Sequence, residues 1–348
     1  MSDRATTYLF ISRSGITSTI FDSQVVKPLL DMRDAGLVFD LMAYRAMRER
    51  KSPDTAAKAR VDELRGMLTP GRVWLHSVPR PETWLGSVLT AILAAVHLWP
   101  SVLKGKECVC HCRAHRPAFV GVWVKRLVPR CRIVFDMRGD VSEVAEPGSP
   151  AYATLKRREA RSVNAACRII CVSERFRRQV AEEYPEAADK ITVIPCAASV
   201  DLFHYDPAVR ERLRLEIGVG ERPVLVYCGG LKSRWHVADT LLTAFRDLNA
   251  VASPTKLAEY LMTGLPVVAS EGVGDVEQLF SLGDFGDLVS DIDDIPSVHS
   301  AIRTAAAMSS SGEGRASRAE RAAGLLSSQY YLPVRLDLYR DCSARAGR

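Results

Sequence analysis

The stretch 253–270, SPTKLAEYLMTGLPVVAS, reads as a helix start, a helix, a break and a strand. Ser253 is a capping residue and Pro254 suits the first helical position, where no amide is needed. The helix runs over Pro254–Met262, and Pro266–Ser270 is a short β-rich run. The same alternation extends along the chain. Tyr8–Ile11, Leu37–Ala43, Val73–His76, Glu107–Cys112, Arg132–Asp136 and Arg168–Val172 read as strands. Helix-period segments at Gln24–Ala35, Thr55–Met67, Trp84–Leu98, Pro117–Leu127 and Ala151–Ala165 separate them. That is the pattern of a parallel sheet covered by helices. A further strand, Ile191–Ile194, leads through a polar stretch to a helix at Ala208–Ile217. A second unit opens with the strand Pro223–Tyr227, the glycine turn Gly229–Gly230 and the helix His236–Leu248. After Ser270 follow a strand at Gly286–Val289, helices at Ile295–Met308 and Arg315–Leu326 with a loop, Ser309–Gly314, between them, and a tail. The expected domains are 1–190, 191–328 and a tail, 329–348, whose Tyr330–Asp341 packs back on the first domain.

With 348 residues, 47% hydrophobic and 25% charged, the chain has the composition of a globular protein with two cores. The opening MSDRATTYLF lacks the apolar core of a secretory signal, so the expected location is cytoplasmic. Nine cysteines without zinc-type spacing read as reduced thiols. Cys108, Cys110 and Cys112, near His111 and His115, alternate along one strand and so share a face. Such a face suits a metal or, as expected here, buried thiols without one. The longest uncharged run, Thr83–Leu103, is diluted by Gly86, Ser87, Thr90, His97 and Pro100, and reads as a buried or membrane-surface helix. Trp84 and Trp99 suit an interface. Residues 1–200 carry 31 Lys and Arg against 21 Asp and Glu, and residues 201–348 carry 16 against 20. A basic first half suits anionic lipid or a phosphorylated acceptor, or is a solvated surface. No nucleic-acid motif is present, and no paired carboxylates of glycosidase type.

Three stretches in fixed order, VIPCAASVDLF at 193–203, VYCGGLKSRWH at 226–236 and SPTKLAEYLMTGLPVVAS at 253–270, resemble glycosyltransferase family 4. LFISRSGIT and VFDMRGD, at 134–140, fit more loosely. The resemblance implies an α/β fold of two Rossmann-like domains (GT-B), here with the C-terminal one reduced. It also implies transfer of a sugar from a nucleotide diphosphate sugar to a glycan or lipid-linked acceptor, with retention and without a metal or other cofactor. Polysaccharide assembly at the inner face of the membrane would suit the basic first half.

Site residues follow position by position. Glu259 is the carboxylate for the ribose, with Lys256 on the same helical face beside a phosphate; an exposed ion pair is the alternative. Ser253 and Thr255 stand at that helix start. Gly229 and Gly230 form the phosphate turn or an ordinary strand-to-helix turn, and Lys232 and Arg234 supply positive charge or lie in a solvated loop. Gly230 and Trp235 stand where many members carry Arg and Lys, and Val251 replaces a common glutamate. The loop with Gly274 and Asp275 is left to contact the donor sugar. Arg138 stands near the family's active-site histidine and holds a phosphate or hydroxyl rather than a proton. Gly15 and Arg113 face the same strand ends on the acceptor side. For Arg113 and Arg138 a structural salt bridge is the competing reading.

The run from Arg246 to Ser253 is too short for a βα crossover, which takes roughly 10–12 residues. A second sheet of about three or four strands is therefore expected in place of about six. An inactive scaffold and a sugar-nucleotide epimerase are the alternative functions, and the SPTK helix favours the transferase.

Overall fold

The computed structural model describes residues 6–13, 15–50, 54–220, 222, 224, 255–291, 294–309 and 311–344. The chain divides into two compact units. Unit 1 comprises Met1–Val172, Phe176–Ile194 and Tyr331–Arg348, and unit 2 comprises Ser173–Arg175 and Pro195–Tyr330.

Unit 1 is built on seven parallel strands: β1 (Thr6–Arg13), β2 (Phe39–Ala46), β3 (Val73–Val78), β4 (Glu107–Arg113), β5 (Cys131–Asp136), β6 (Ala166–Cys171) and β7 (Ile191–Val193). Their spatial order is β3-β2-β1-β4-β5-β6-β7. The central strands are apolar on both faces, because helices cover both sides of a parallel sheet; all but one of the residues of β4 are buried. Cys108, Cys110 and Cys112 are among them, fully enclosed, with Cys110 3.3 Å from Cys131.

The helices are α1 (Thr19–Phe21), α2 (Lys27–Asp34), α3 (Thr55–Leu68), α4 (Trp84–Leu103), α5 (His115–Leu127), α6 (Pro150–Ala165) and α7 (Glu174–Glu183). α4 starts on the Thr83 hydroxyl, which accepts the Gly86 amide at 3.1 Å, and runs through Pro100 to Leu103, past the expected end at Leu98. α7 was not anticipated. Strand order reverses between β1 and β4, and this places the crevice of a doubly wound sheet beyond the ends of those two strands.

In unit 2 the helices are α8 (Pro207–Glu216), α9 (Thr255–Met262), α10 (Val276–Phe280), α11 (Ile295–Met308), α12 (Gly312–Leu326) and α13 (Ser328–Ala344), the last contributing Tyr331 onward to unit 1. The expected loop 309–314 is helical from Gly312, because the Ser311 hydroxyl caps α12 by accepting the Gly314 amide at 3.1 Å. Asp206 caps α8 by accepting the amides of Ala208 and Val209.

Among the described residues the second sheet has two parallel strands, β8 (Val267–Ser270) and β9 (Gly286–Val289). The smaller second sheet is as expected. The anticipated strand Pro223–Tyr227 and helix His236–Leu248 lie outside the described residues, apart from Val224. Gly286, at φ +142°, lies so close to Val267 that a side chain would strike its carbonyl. The core packs Ala258, Leu261, Met262, Phe285 and Ala322 together. Arg318 is buried within unit 2, donating to the carbonyls of Asp284 (2.7 Å), Gly264 (2.8 Å) and Met308 (3.4 Å). It therefore fixes the turn that leads from α9 into β8.

Candidate active site

The donor-side candidates of unit 2 gather at α9. Ala258, Leu261 and Met262 are buried, which anchors one face of the helix and leaves Lys256 exposed and Glu259 half-buried on the other. Partial burial raises the Glu259 carboxyl above its usual range, against the opposing charge of Lys256. A carboxylate so placed gains from any hydroxyl that donates to it. Thr255 is the first described residue of this helix. Gly229, Gly230, Lys232, Arg234 and Ser253 lie outside the described residues.

The loop after β8 has a structural occupation. Gly272 and Gly274 take φ of +82° and +53°. Asp275 accepts the backbone amides of Glu174 (2.6 Å) and Arg175 (3.1 Å), also in unit 2. Both its oxygens are engaged in fixing the backbone.

In unit 1, Gly15 follows β1 at φ +108°, and its carbonyl accepts both the amide and the hydroxyl of Ser18 at 2.7 Å. Arg113 ends β4 in register with Asp136 at the end of β5. Arg138 lies 3.4 Å from Asp136 and donates to Gln24 at 3.0 Å, so the structural salt bridge is present.

This pair ends a buried chain of hydrogen bonds. Tyr339 donates to His111 Nδ1 at 2.6 Å, and His111 Nε2 stands 3.3 Å from Asp136 Oδ2. Burial works to raise the Asp136 carboxyl, but Arg138, the His111 hydrogen bond and Arg113 outweigh it and hold the group well below the usual range. Burial lowers His111 despite Asp136. The imidazole is thus neutral, with its proton on Nε2 facing the carboxylate, and it accepts from the tyrosine at Nδ1. Enclosed as it is, His111 holds Asp136 and Arg138 in place rather than meeting a substrate.

Sequence reasoning missed two further clusters. Lys156 binds Glu159 (2.9 Å), Glu183 (2.7 Å) and Asp140 (3.5 Å), while Glu159 also pairs with His115 (2.6 Å) and Tyr184 (2.9 Å). Beside them Glu143 accepts the Asp140 amide at 3.2 Å, and burial pushes its carboxyl up to about 7. Its carboxyl also fills the space where a side chain on Gly139 would lie.

The second cluster surrounds Tyr44, which is fully enclosed with no hydrogen-bond partner for its hydroxyl among the described residues. Burial raises this phenol against the pull of Arg13 and Arg116. Arg13 pairs with Glu49 at 3.1 Å, and burial and the Arg13 charge lower Arg116. Nearby, Ala114 takes φ +70° and ψ 171° at the start of α5. That backbone is costly for any residue but glycine and is characteristic of functional sites. The one local signal was the basic residues at the strand ends, Arg13 closing β1 and Arg113 and Arg116 at and just after the end of β4.

The Glycosyltransferase Family 4 profile matches residues 48–202. No curated protein sequence matches the chain. Among solved structures, a glycosyltransferase from Rickettsia africae superposes with a TM-score of 0.66 at 12% identity, over 97% of this chain and 98% of that one. HepE of Anabaena, solved with UDP, gives 0.62 at 13% identity, over 96% and 100%. The sucrose-phosphate synthase of Thermosynechococcus elongatus gives 0.61 at 14%, over 98% and 100%. Other HepE structures hold UDP with glucose, or UDP-glucose. Residues 48–202 thus match the glycosyltransferase family 4 profile, and the chain has the two-unit α/β fold of these GT-B glycosyltransferases.

Proposed function

We propose that the protein transfers a hexose from a nucleotide diphosphate sugar to a glycan or lipid-linked acceptor, with retention at the anomeric carbon, in polysaccharide assembly. The observation that carries this reading is α9. In a chain that matches the family 4 profile, this helix is anchored by its inner face and presents a half-buried glutamate and a lysine one turn apart on the other. The UDP and UDP-glucose in HepE support a nucleotide-sugar donor.

Glu259 accepts the ribose hydroxyls. Lys256, with Lys232 or Arg234 and the amides at Gly229 and Gly230, stabilises the diphosphate as its bond to the sugar breaks. The acceptor oxygen takes the sugar on the same face and gives up its proton to the departing diphosphate. No cofactor or metal enters this scheme. Unit 1 offers the acceptor side: Gly15 and Arg113 at the strand ends, and Arg138 held by Asp136. The described cysteines are thiols, which supports a cytoplasmic protein, and we propose that it lies at the inner face of the membrane.

Calorimetric titration of the intact chain with UDP, ADP and GDP tests the reading, followed by turnover with the corresponding glucose donors. One diphosphate is expected to bind, and Glu259→Ala to weaken it. If none binds, the chain is a scaffold without turnover.

A further inference from the structure

Helix α4 is built inside out. Apart from Leu98, its buried face is made of small residues: Gly86, Ser87, Thr90, Ala91, Ala94 and Ala95. Its outer face exposes Leu85, Leu89, Ile92, Val96, Trp99 and Leu103, from 36% to 80%. Their spacing alternates between four and three residues, so they form one continuous stripe along the helix. No charged residue occurs between Trp84 and Leu103. A core helix turns its large apolar groups inward; a long apolar stripe facing water marks an interaction surface.

We infer that this stripe docks unit 1 on the surface of a bilayer containing anionic lipid. The inference rests on the membrane location proposed above and names the surface responsible. The charge around the stripe fits that partner. From Trp84 to Phe135 there are eight Lys and Arg and one acidic residue, Glu107, which is buried. α5 packs beside α4. Both helices run back along a parallel sheet, so Lys104 and Lys106 after α4 come to the same edge as Lys125, Arg126 and Arg130 on and after α5. A second copy of the chain would bring the same positive charge to the contact, whereas anionic headgroups neutralise it. Trp84 and Trp99, 61% and 41% exposed near opposite ends of the helix, have the amphipathic rings favoured at headgroup depth.

The helix lies on the membrane rather than crossing it. α4 is the crossover from β3 to β4 and packs against β1, β3 and β4. The Arg80 carbonyl approaches Gly86 so closely that a side chain there would collide with it. Threading α4 through a bilayer would dismantle that packing.

The test is flotation of the intact protein with vesicles of phosphatidylcholine, alone or mixed with phosphatidylglycerol. Binding is expected to the mixed vesicles and to weaken with salt. Ile92→Glu with Val96→Glu should lower it at least about tenfold, and Lys104→Glu about fivefold, with the thermal midpoint unchanged. Should the double variant fold poorly, Leu103→Glu, at the most exposed position of the stripe, replaces it. Undiminished binding by the stripe variants overturns the docking surface but leaves the membrane location standing. No binding to either vesicle overturns both. Self-association in solution that the same variants abolish would show a second copy covering the face, and also overturns the proposal.

Discussion

Units 1 and 2 hold their parallel strands by different means. In unit 1 the strands are enclosed on both faces: Leu9, Ile11, Leu41, Met42, Ile133 and Phe135 are fully buried, and the sheet is continuous over seven strands. In unit 2 every residue of β8 and all but Val289 of β9 are only half-buried. There, close approach at Gly286 and the three carbonyl bonds of Arg318 take the place of apolar continuity. Where two described strands are only half-buried, fixed polar bonds and steric fit position α9 beside them. Unit 2 should consequently yield to small, local changes, and unit 1 to loss of core volume.

The largest expected effect is in unit 1. Phe135→Ala should destabilise it by about 3–5 kcal/mol through the cavity it leaves, measured by denaturant unfolding. Hydrogen exchange should place the loss in unit 1, and equal loss of protection in unit 2 would break the contrast. Next, Arg318→Ala should destabilise unit 2 by about 3 kcal/mol, the upper end for hydrogen bonds to a charged group. Lysine in its place should recover only part, because one ammonium cannot span three carbonyls fixed for a guanidinium. Full recovery would mean that charge alone matters there.

Glu259→Ala should leave stability within about 0.5 kcal/mol, because the half-buried side chain lies off the apolar face that anchors α9. It should weaken nucleotide diphosphate binding by roughly 1.5–3 kcal/mol in calorimetry, and unchanged affinity would return the residue to an ion pair with Lys256. The smallest effect is a pH dependence in unit 1. Burial favours the neutral form of Glu143, so the folded state keeps its proton up to about 7. The associated stability is complete below the ordinary carboxylate range and is lost as pH rises through about 7. Glu143→Gln should flatten that part of the thermal stability profile, and an unaltered slope would assign it to another group.

The strands of unit 1 were legible because doubly buried strands are written as short continuous apolar runs. α7 escaped because ERFRRQVAEE buries only Phe176 and Val180 among its charges. α4 was cut short at Leu98, although a proline in the last turn does not end a helix whose remaining turns are packed. At the site, the helix of Glu259 was legible from its start signal and its GLP break. The hydrogen-bond chain behind Arg138 was not, since Tyr339 lies 228 residues from His111. Nor does a local pattern announce Tyr44, whose significance lies in a hydroxyl that finds no partner among the described residues. Asp275 was read as a donor contact by its place in a glycine loop, and only the folded chain reveals the two amides it binds.

The return of α13 to unit 1 has a consequence for biosynthesis. Leu338, Tyr339 and Cys342 belong to the same buried cluster as Tyr8, Phe39 and Leu41. Domains emerging from the ribosome ordinarily fold in the order in which they are made. Here unit 1, most of whose sheet precedes unit 2 in the chain, lacks part of its interior until Leu338, Tyr339 and Cys342 have been made. The nascent sheet must wait for all of unit 2 with Tyr8 and Phe39 uncovered, which makes it a natural client for chaperones during that interval.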